Sequence, residues 1–83
     1  MSRSLKNSTS AFIDGDMSAF DEIYAATYRK VFVTAKVLMK NAHDAEDVVQ
    51  DVYIQAYKNL STIRDPGSVL PWLQQITRNT CLN

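Results

Sequence analysis

Between Phe20 and Met39 the apolar positions Phe20, Tyr24, Thr27, Val31, Ala35 and Leu38 recur at steps of four and three, and Ile23, Tyr28, Phe32 and Met39 widen the stripe. That spacing is one face of an α-helix. Ser18 is placed to cap it, Asp21 and Glu22 fall in its first turn, and Lys36 and Lys40 suit the negative end of its dipole, so the helix is expected to end near Lys40. A second stripe follows, made of Ala45, Val48, Val49, Val52, Ala56 and Leu60 with Tyr53 and Tyr57 beside it. Asn41 to His43 read as a short connection, and Asp44 reads as the cap of this helix, with Glu46 and Asp47 in its first turn. Upstream, Ala11, Phe12 and Ile13 precede Gly15 and Asp16, which predicts a short helix ending on the glycine in a left-handed cap. Residues 1–10 are expected as a flexible lead, although the patch Asn7 to Ser10 also suits a helix cap. Downstream, Ser61 to Leu70 contains Asp65-Pro66-Gly67 and is expected as a loop, because proline lacks a donor and disfavours helical geometry in the residue before it. Pro71 then opens a last helix with Trp72, Leu73, Ile76 and Thr80 on one side. The expected fold is all-α, a compact bundle of three to four helices formed by residues 11–83.

Length and composition narrow the picture. The chain has 83 residues, and a domain of this size buries only about 60% of the surface its unfolded chain exposes, so a second domain is ruled out. A hydrophobic fraction of 46% with 22% charged residues belongs to a folded, soluble chain. Nine Lys and Arg balance nine Asp and Glu, which excludes a strongly basic domain that coats nucleic acid along its whole surface. Any nucleic-acid contact must therefore be local. The single cysteine, Cys81, excludes an internal disulfide. No apolar run approaches the ~20 residues that span a bilayer, and the polar start lacks the apolar stretch of a signal peptide, so the expectation is a cytoplasmic protein without membrane insertion.

Catalysis has few candidates. His43 with Asp44, Glu46 and Asp47 does not match a His-Glu-x-x-His or EF-hand pattern, Cys81 has no histidine positioned to activate it, and no glycine-rich phosphate loop exists. The chain is expected to be no enzyme and to take no metal or cofactor. Two polar constellations say more. Asp44, Asp47 and Asp51 lie three and four residues apart on one helix face, with Gln50 alongside. The dipole of the first helical turn explains Asp44, Glu46 and Asp47, but Asp51 lies two turns in. This face is either simply solvated or a docking surface for a basic helix. The second constellation is the loop Ser61 to Leu70 followed by Gln74, Gln75, Thr77, Arg78 and Asn79, residue types that hydrogen-bond base edges. Trp72, at this spacing, is more often a core residue than a stacking platform.

Together the stretches DAEDVVQDVYIQAYKNL, Asp44 to Leu60, and PWLQQITRN, Pro71 to Asn79, resemble region 2 of bacterial RNA polymerase sigma factors of the extracytoplasmic-function group. GDMSAFDEIY, Gly15 to Tyr24, is similar to the family's entry into its first long helix. The resemblance implies a non-enzymatic subunit that joins core RNA polymerase, recognises the promoter minus-ten element and helps melt it. It implies that Asp47, Gln50 and Asp51, with Asp44 and Gln55 beside them, dock on the basic coiled coil of the beta-prime clamp. It implies further that the loop, with Ser61, Thr62, Ile63, Arg64 and Asp65, holds a base flipped from the non-template strand, and that Gln74, Gln75, Arg78 and Asn79 complete the promoter DNA contact. Ile63 and Val69 stand where many relatives carry phenylalanine, and Pro71 where threonine or serine is usual. An anti-sigma factor covering these surfaces is a further implied partner, and the linker and region 4 of such proteins are expected to be missing from a shortened chain. The alternative from the residues themselves is a helical protein-binding adaptor that uses the acidic face and does not recognise DNA. A helix-turn-helix reader is disfavoured, because the ten-residue gap exceeds that motif's turn of about three to four residues.

Overall fold

The computed structural model describes residues 3–83. Four helices, α1 (Leu5–Ile13), α2 (Ala19–Met39), α3 (Ala42–Asn59) and α4 (Val69–Leu82), follow one another, with two 3-10 turns, Leu60–Thr62 and Pro66–Ser68, between α3 and α4. The described residues contain no strand, so the bundle is all-α as expected. Helix α2 is the spine, packing against each of the other three helices. Its buried positions are Ala19, Ile23, Thr27, Val31 and Ala35, a strict step of four. Tyr24 and Leu38, expected in that stripe, are each 41% exposed. A step of four drifts slowly around a helix of 3.6 residues per turn, so this row keeps one side against the bundle and leaves the larger residues on its flanks.

The core joins that row to Val49, Val52, Ala56 and Leu60 from the α3 side and to Val69 and Leu73 of α4, none more than 2% exposed. One polar pair lies among them. Thr27 Oγ1 donates to the Ile23 carbonyl at 2.7 Å and shares a 2.6 Å hydrogen bond with Tyr53 Oη. Since the threonine proton is committed to the carbonyl, the tyrosine is the donor between the two hydroxyls. At the other end of this seam Phe12, Phe20, Tyr53 and Tyr57 form an edge-to-face cluster with ring centroids 5.2–6.3 Å apart, the arrangement that the ring quadrupole favours.

Helix α1 ends as the glycine predicts. Gly15 has φ +110°, its N–H donates to the Phe12 carbonyl at 3.0 Å, and the Asp16 N–H donates to the Ala11 carbonyl at 2.9 Å, which together make a Schellman motif. The beginning differs from the expectation. Met1 and Ser2 lie outside the described residues, but the rest of the expected lead is largely helix, capped by Ser4 Oγ, which accepts from the Asn7 N–H at 3.2 Å. The Ser/Thr patch suits a helix here because its hydroxyls are satisfied: Thr9 Oγ1 donates to the Leu5 carbonyl and the buried Ser8 donates to Glu22.

Three other local expectations are corrected. Ser18 does not cap α2 with its side chain; Asp16 organises the entry instead, its Oδ1 accepting from both the N–H and the hydroxyl of Ser18. Asn41, not Asp44, caps α3, its Oδ1 accepting from the Asp44 N–H at 2.9 Å while its amide donates to Asp44 Oδ2 at 3.1 Å. That exchange is a reciprocal box between the cap and the third helical residue, and Lys40 in a left-handed conformation, φ 65°, lets α2 end one residue before it. Finally, the expected loop Ser61 to Leu70 shortens to residues 63–65 between two 3-10 turns, and α4 begins at Val69. Pro71 is thus the third residue of α4, where its missing N–H would have had no helical partner.

Helix α1 also props the second of those turns. It packs directly on Pro66–Ser68, and a Cβ added to Gly67 would lie 3.3 Å from Asp65 Oδ1 and 3.7 Å from Lys6 Cδ.

Candidate functional site

The outer surface of α3 carries the acidic face. Asp47, Gln50 and Asp51 are exposed, while Asp44 and Gln55 are half-buried at its edge. Every ion pair among the described residues is made by Arg3, to Asp16 at 3.3 Å and Glu22 at 2.6 Å. Asp47 and Asp51 therefore point into solvent with no cation of the described residues on them. The edge residues have internal duties: Asp44 belongs to the cap of α3, and the Gln55 amide donates to Thr80 Oγ1 of α4 at 3.3 Å. The structure thus divides the five expected docking residues into three free ones and two already engaged.

Two shallow grooves flank this face and share Gln50 and Ile54. One, about 320 Å³, runs from Asp47 and Asp51 past Val48 to Thr80. The other, about 610 Å³, lies between α2 and α3 and is lined by Phe20, Tyr24, Tyr53, Ile54 and Tyr57, with Asp21 and Lys58 at its rim. Sequence reasoning did not single out this groove. Ile54 was the available signal, an apolar residue three positions after Asp51 on the polar arc of α3, and it is 54% exposed. Burial, and less so the nearby Tyr24 and Tyr28, pushes the Tyr53 phenol up to about 12.

The residues expected to meet DNA lie in the turns that follow α3 and on α4. Ser61, Thr62 and Arg64 are exposed, and Ile63 is half-buried against the core. Thr62 Oγ1 donates to the Asn59 carbonyl at 2.7 Å. Asp65 is held by its own turn, with Oδ1 accepting from the Gly67 N–H at 2.9 Å and Oδ2 from Ser68 Oγ at 3.0 Å. Those two donors, and Lys6 nearby, hold its carboxyl below the ordinary value. Its lone pairs are thus spent on shaping the loop. Gln75, Arg78 and Asn79 sit together on the exposed face of α4, where Gln75 donates to Asn79 Oδ1 at 3.0 Å and accepts from Arg78 at 3.3 Å. This trio offers amide and guanidinium groups that can be re-paired with a nucleobase at no net loss of hydrogen bonds. Gln74 is separated from it: its amide donates to the Lys30 carbonyl of α2 at 3.3 Å. Trp72 is half-buried and packs on the core, the commoner of the two readings of its spacing.

Among the described residues no helix is long and apolar enough to cross a membrane. The family model for sigma-70 region 2 matches residues 23–83. Curated relatives include the ECF RNA polymerase sigma factor SigM of Mycobacterium tuberculosis, 30% identical over 73 residues that cover 88% of this chain and 37% of that protein. The ECF RNA polymerase sigma factor SigG of the same species is 35% identical over 68 residues, 82% of this chain and 18% of that one. SigW of Bacillus subtilis, of the same description, is 29% identical over 69 residues, 83% and 37% of the two chains. The chain spans well under half the length of these relatives. No solved structure matches it. With the family model covering most of the bundle, including all of α3 and α4, the chain belongs to the sigma-70 region 2 family as a domain of the extracytoplasmic-function type.

Proposed function

We propose that this domain joins a sigma factor to core RNA polymerase through α3 and captures the promoter minus-ten element through α4 and the turns before it, assisting strand separation and carrying out no reaction of its own. The observation that carries the reading is the pair Asp47 and Asp51, exposed and without an internal cation. Their stacking four residues apart is mildly unfavourable within a lone helix, and a basic helix laid along α3 converts it into attraction. The basic coiled coil of the beta-prime clamp is that partner, with Gln50 bonding between the two carboxylates.

The neutral net charge suits the second half of this reading. A domain with equal numbers of acids and bases gains little from duplex phosphates as a whole, and is better served by taking one unpaired strand with a few local contacts. Ser61, Thr62, Ile63 and Arg64 border the proposed base pocket, Asp65 fixes its shape, and Gln75, Arg78 and Asn79 read the neighbouring bases of the non-template strand. An anti-sigma factor would inhibit by covering these faces. Replacing Asp47 and Gln50 together with alanine should abolish capture of core polymerase from bacterial lysate. Undiminished capture removes the α3 assignment. If no single-stranded promoter sequence is preferred over another, with or without polymerase, the domain is an adaptor that binds protein only.

A further inference from the structure

Charge is segregated in this molecule even though it sums to zero. Residues 23–43 and 69–83 contain Arg29, Lys30, Lys36, Lys40 and Arg78 and not one Asp or Glu. These stretches are most of α2 and all of α4, which pack side by side. All five cations are exposed, and none takes part in an ion pair among the described residues. The helix dipole accounts for Lys36 and Lys40 in and just after the last turn of α2, but not for Arg29 and Lys30, more than two turns earlier. At 100° per residue Arg29, Lys36 and Lys40 fall within a narrow arc of α2 opposite its buried row, and Lys30 lies on the flank where Gln74 of α4 meets its carbonyl. Val33 and Val37, 53% and 68% exposed, lie between that arc and Lys30.

We propose that the C-terminal half of α2 is a track for the sugar-phosphate backbone of the strand whose bases α4 reads. This rests on the promoter-binding reading of α4 and extends the interface to Arg29, Lys30, Lys36 and Lys40, which neither the sequence motifs nor the family resemblance singled out. Charge complementarity selects the occupant. The row offers flexible cations with no carboxylate in the stretch of α2 from Ile23 onward or on α4 to neutralise them, and it continues across the Gln74–Lys30 contact to Arg78. The valines give the less polar sugar faces a surface to lie on. Because the cations sit on α2 and α4 and the acidic face on α3, one neutral domain can present opposite charges to a protein helix and to a nucleic acid at the same time.

The test is a fluorescence anisotropy titration of the chain against two single-stranded probes, oligo(dT) and a minus-ten promoter strand, over a series of salt concentrations. The variant changes Arg29, Lys30, Lys36 and Lys40 to Gln, and a control changes Lys58 to Gln; circular dichroism verifies that both fold. The slope of log K against log salt should shrink by about 0.7 for each phosphate that is no longer neutralised. Removing all four cations should take away nearly three powers of the salt dependence, with affinity for both probes down at least about tenfold at low salt. The control should match the wild type. A variant with unchanged slope and affinity overturns the track, as does a wild type that binds neither probe at low salt. Retained DNA binding with lost binding to phosphatidylserine vesicles also overturns it and assigns the row to a lipid surface. The underlying reading fails separately: if the wild type prefers the promoter strand no more than oligo(dT), α4 reads no bases, whereas the slope still decides the track.

Discussion

Asp16 and Glu22, where α1 meets α2, and Asp47 and Asp51, on α3, are four carboxylates in opposite situations. The first two are closed on their own chain. Arg3 donates to both, and Ser8 and Ser18 add hydroxyl donors. Both are held below the ordinary carboxylate range, Asp16 chiefly by Ser18 and Glu22 chiefly by Arg3. The second two have no such donors, and the bundle around α3 is complete without them. The contrast separates what folds this domain from what it offers to others: polar groups that organise the fold find partners within it, while those left over are the ones to examine for binding.

A crossed pair of charge reversals is the strongest way to break that contrast. Asp51→Lys should weaken binding to core polymerase by about 30-fold or more, since losing one side of a desolvated charge pair costs about 2–5 kcal/mol, and should leave the melting temperature unchanged or slightly raised. Glu22→Lys should do the reverse, lowering the melting temperature by placing a cation against Arg3 while the folded protein still binds polymerase. An Asp51→Lys variant with full affinity would erase the distinction between the two pairs.

Tyr53→Phe comes next, sharpening the contrast within the core. Removing the donor to Thr27 should cost about 1 kcal/mol in urea unfolding, because Thr27 keeps its bond to the Ile23 carbonyl and one acceptor loses its donor. Because the folded phenol titrates above the free value of about 10, its contribution is present below that pH and is lost as pH rises through about 12. The phenylalanine variant should lack this part of the alkaline loss. At the acid end the sign reverses: depressed carboxyls give stability that is present above their ordinary value of about 4 and lost as pH falls through the lowered one. Arg3→Gln should therefore flatten the acid limb of a stability-versus-pH curve. The smallest effect is Asp47→Asn at neutral pH, a gain of about 0.2–0.5 kcal/mol from relieving repulsion with Asp51, read from the urea midpoint.

Much of the bundle was legible in the residues. Periodicity found α2 and α3, Gly15 marked the end of α1, and the spacing of Asp47, Gln50 and Asp51 placed them together outside. What was missed depends on which of several competent groups makes a given bond. Asn41, Ser18 and Asp44 are all good capping residues, and only the path of the chain after Lys40 decides that Asn41 serves. The Ser/Thr patch before Phe12 looked like a lead because its composition is polar, yet backbone carbonyls and Glu22 satisfy those hydroxyls inside a helix. The aromatic groove went unseen for a different reason. Tyr24 and Tyr57 fit the apolar stripes of their own helices, and only the packed bundle leaves them 41% and 49% exposed.

Gly67 ties the first helix to the last loop. Its turn is wedged between the Asp65 carboxylate and the aliphatic stem of Lys6, so the outline of the proposed base pocket depends on a residue almost sixty positions upstream. A change in α1 that displaces Lys6 would alter the packing behind that turn while every base-facing side chain stays the same. Two paralogues identical across the turns and α4 could therefore favour different promoters, and the origin of the difference would lie at their amino-terminal ends.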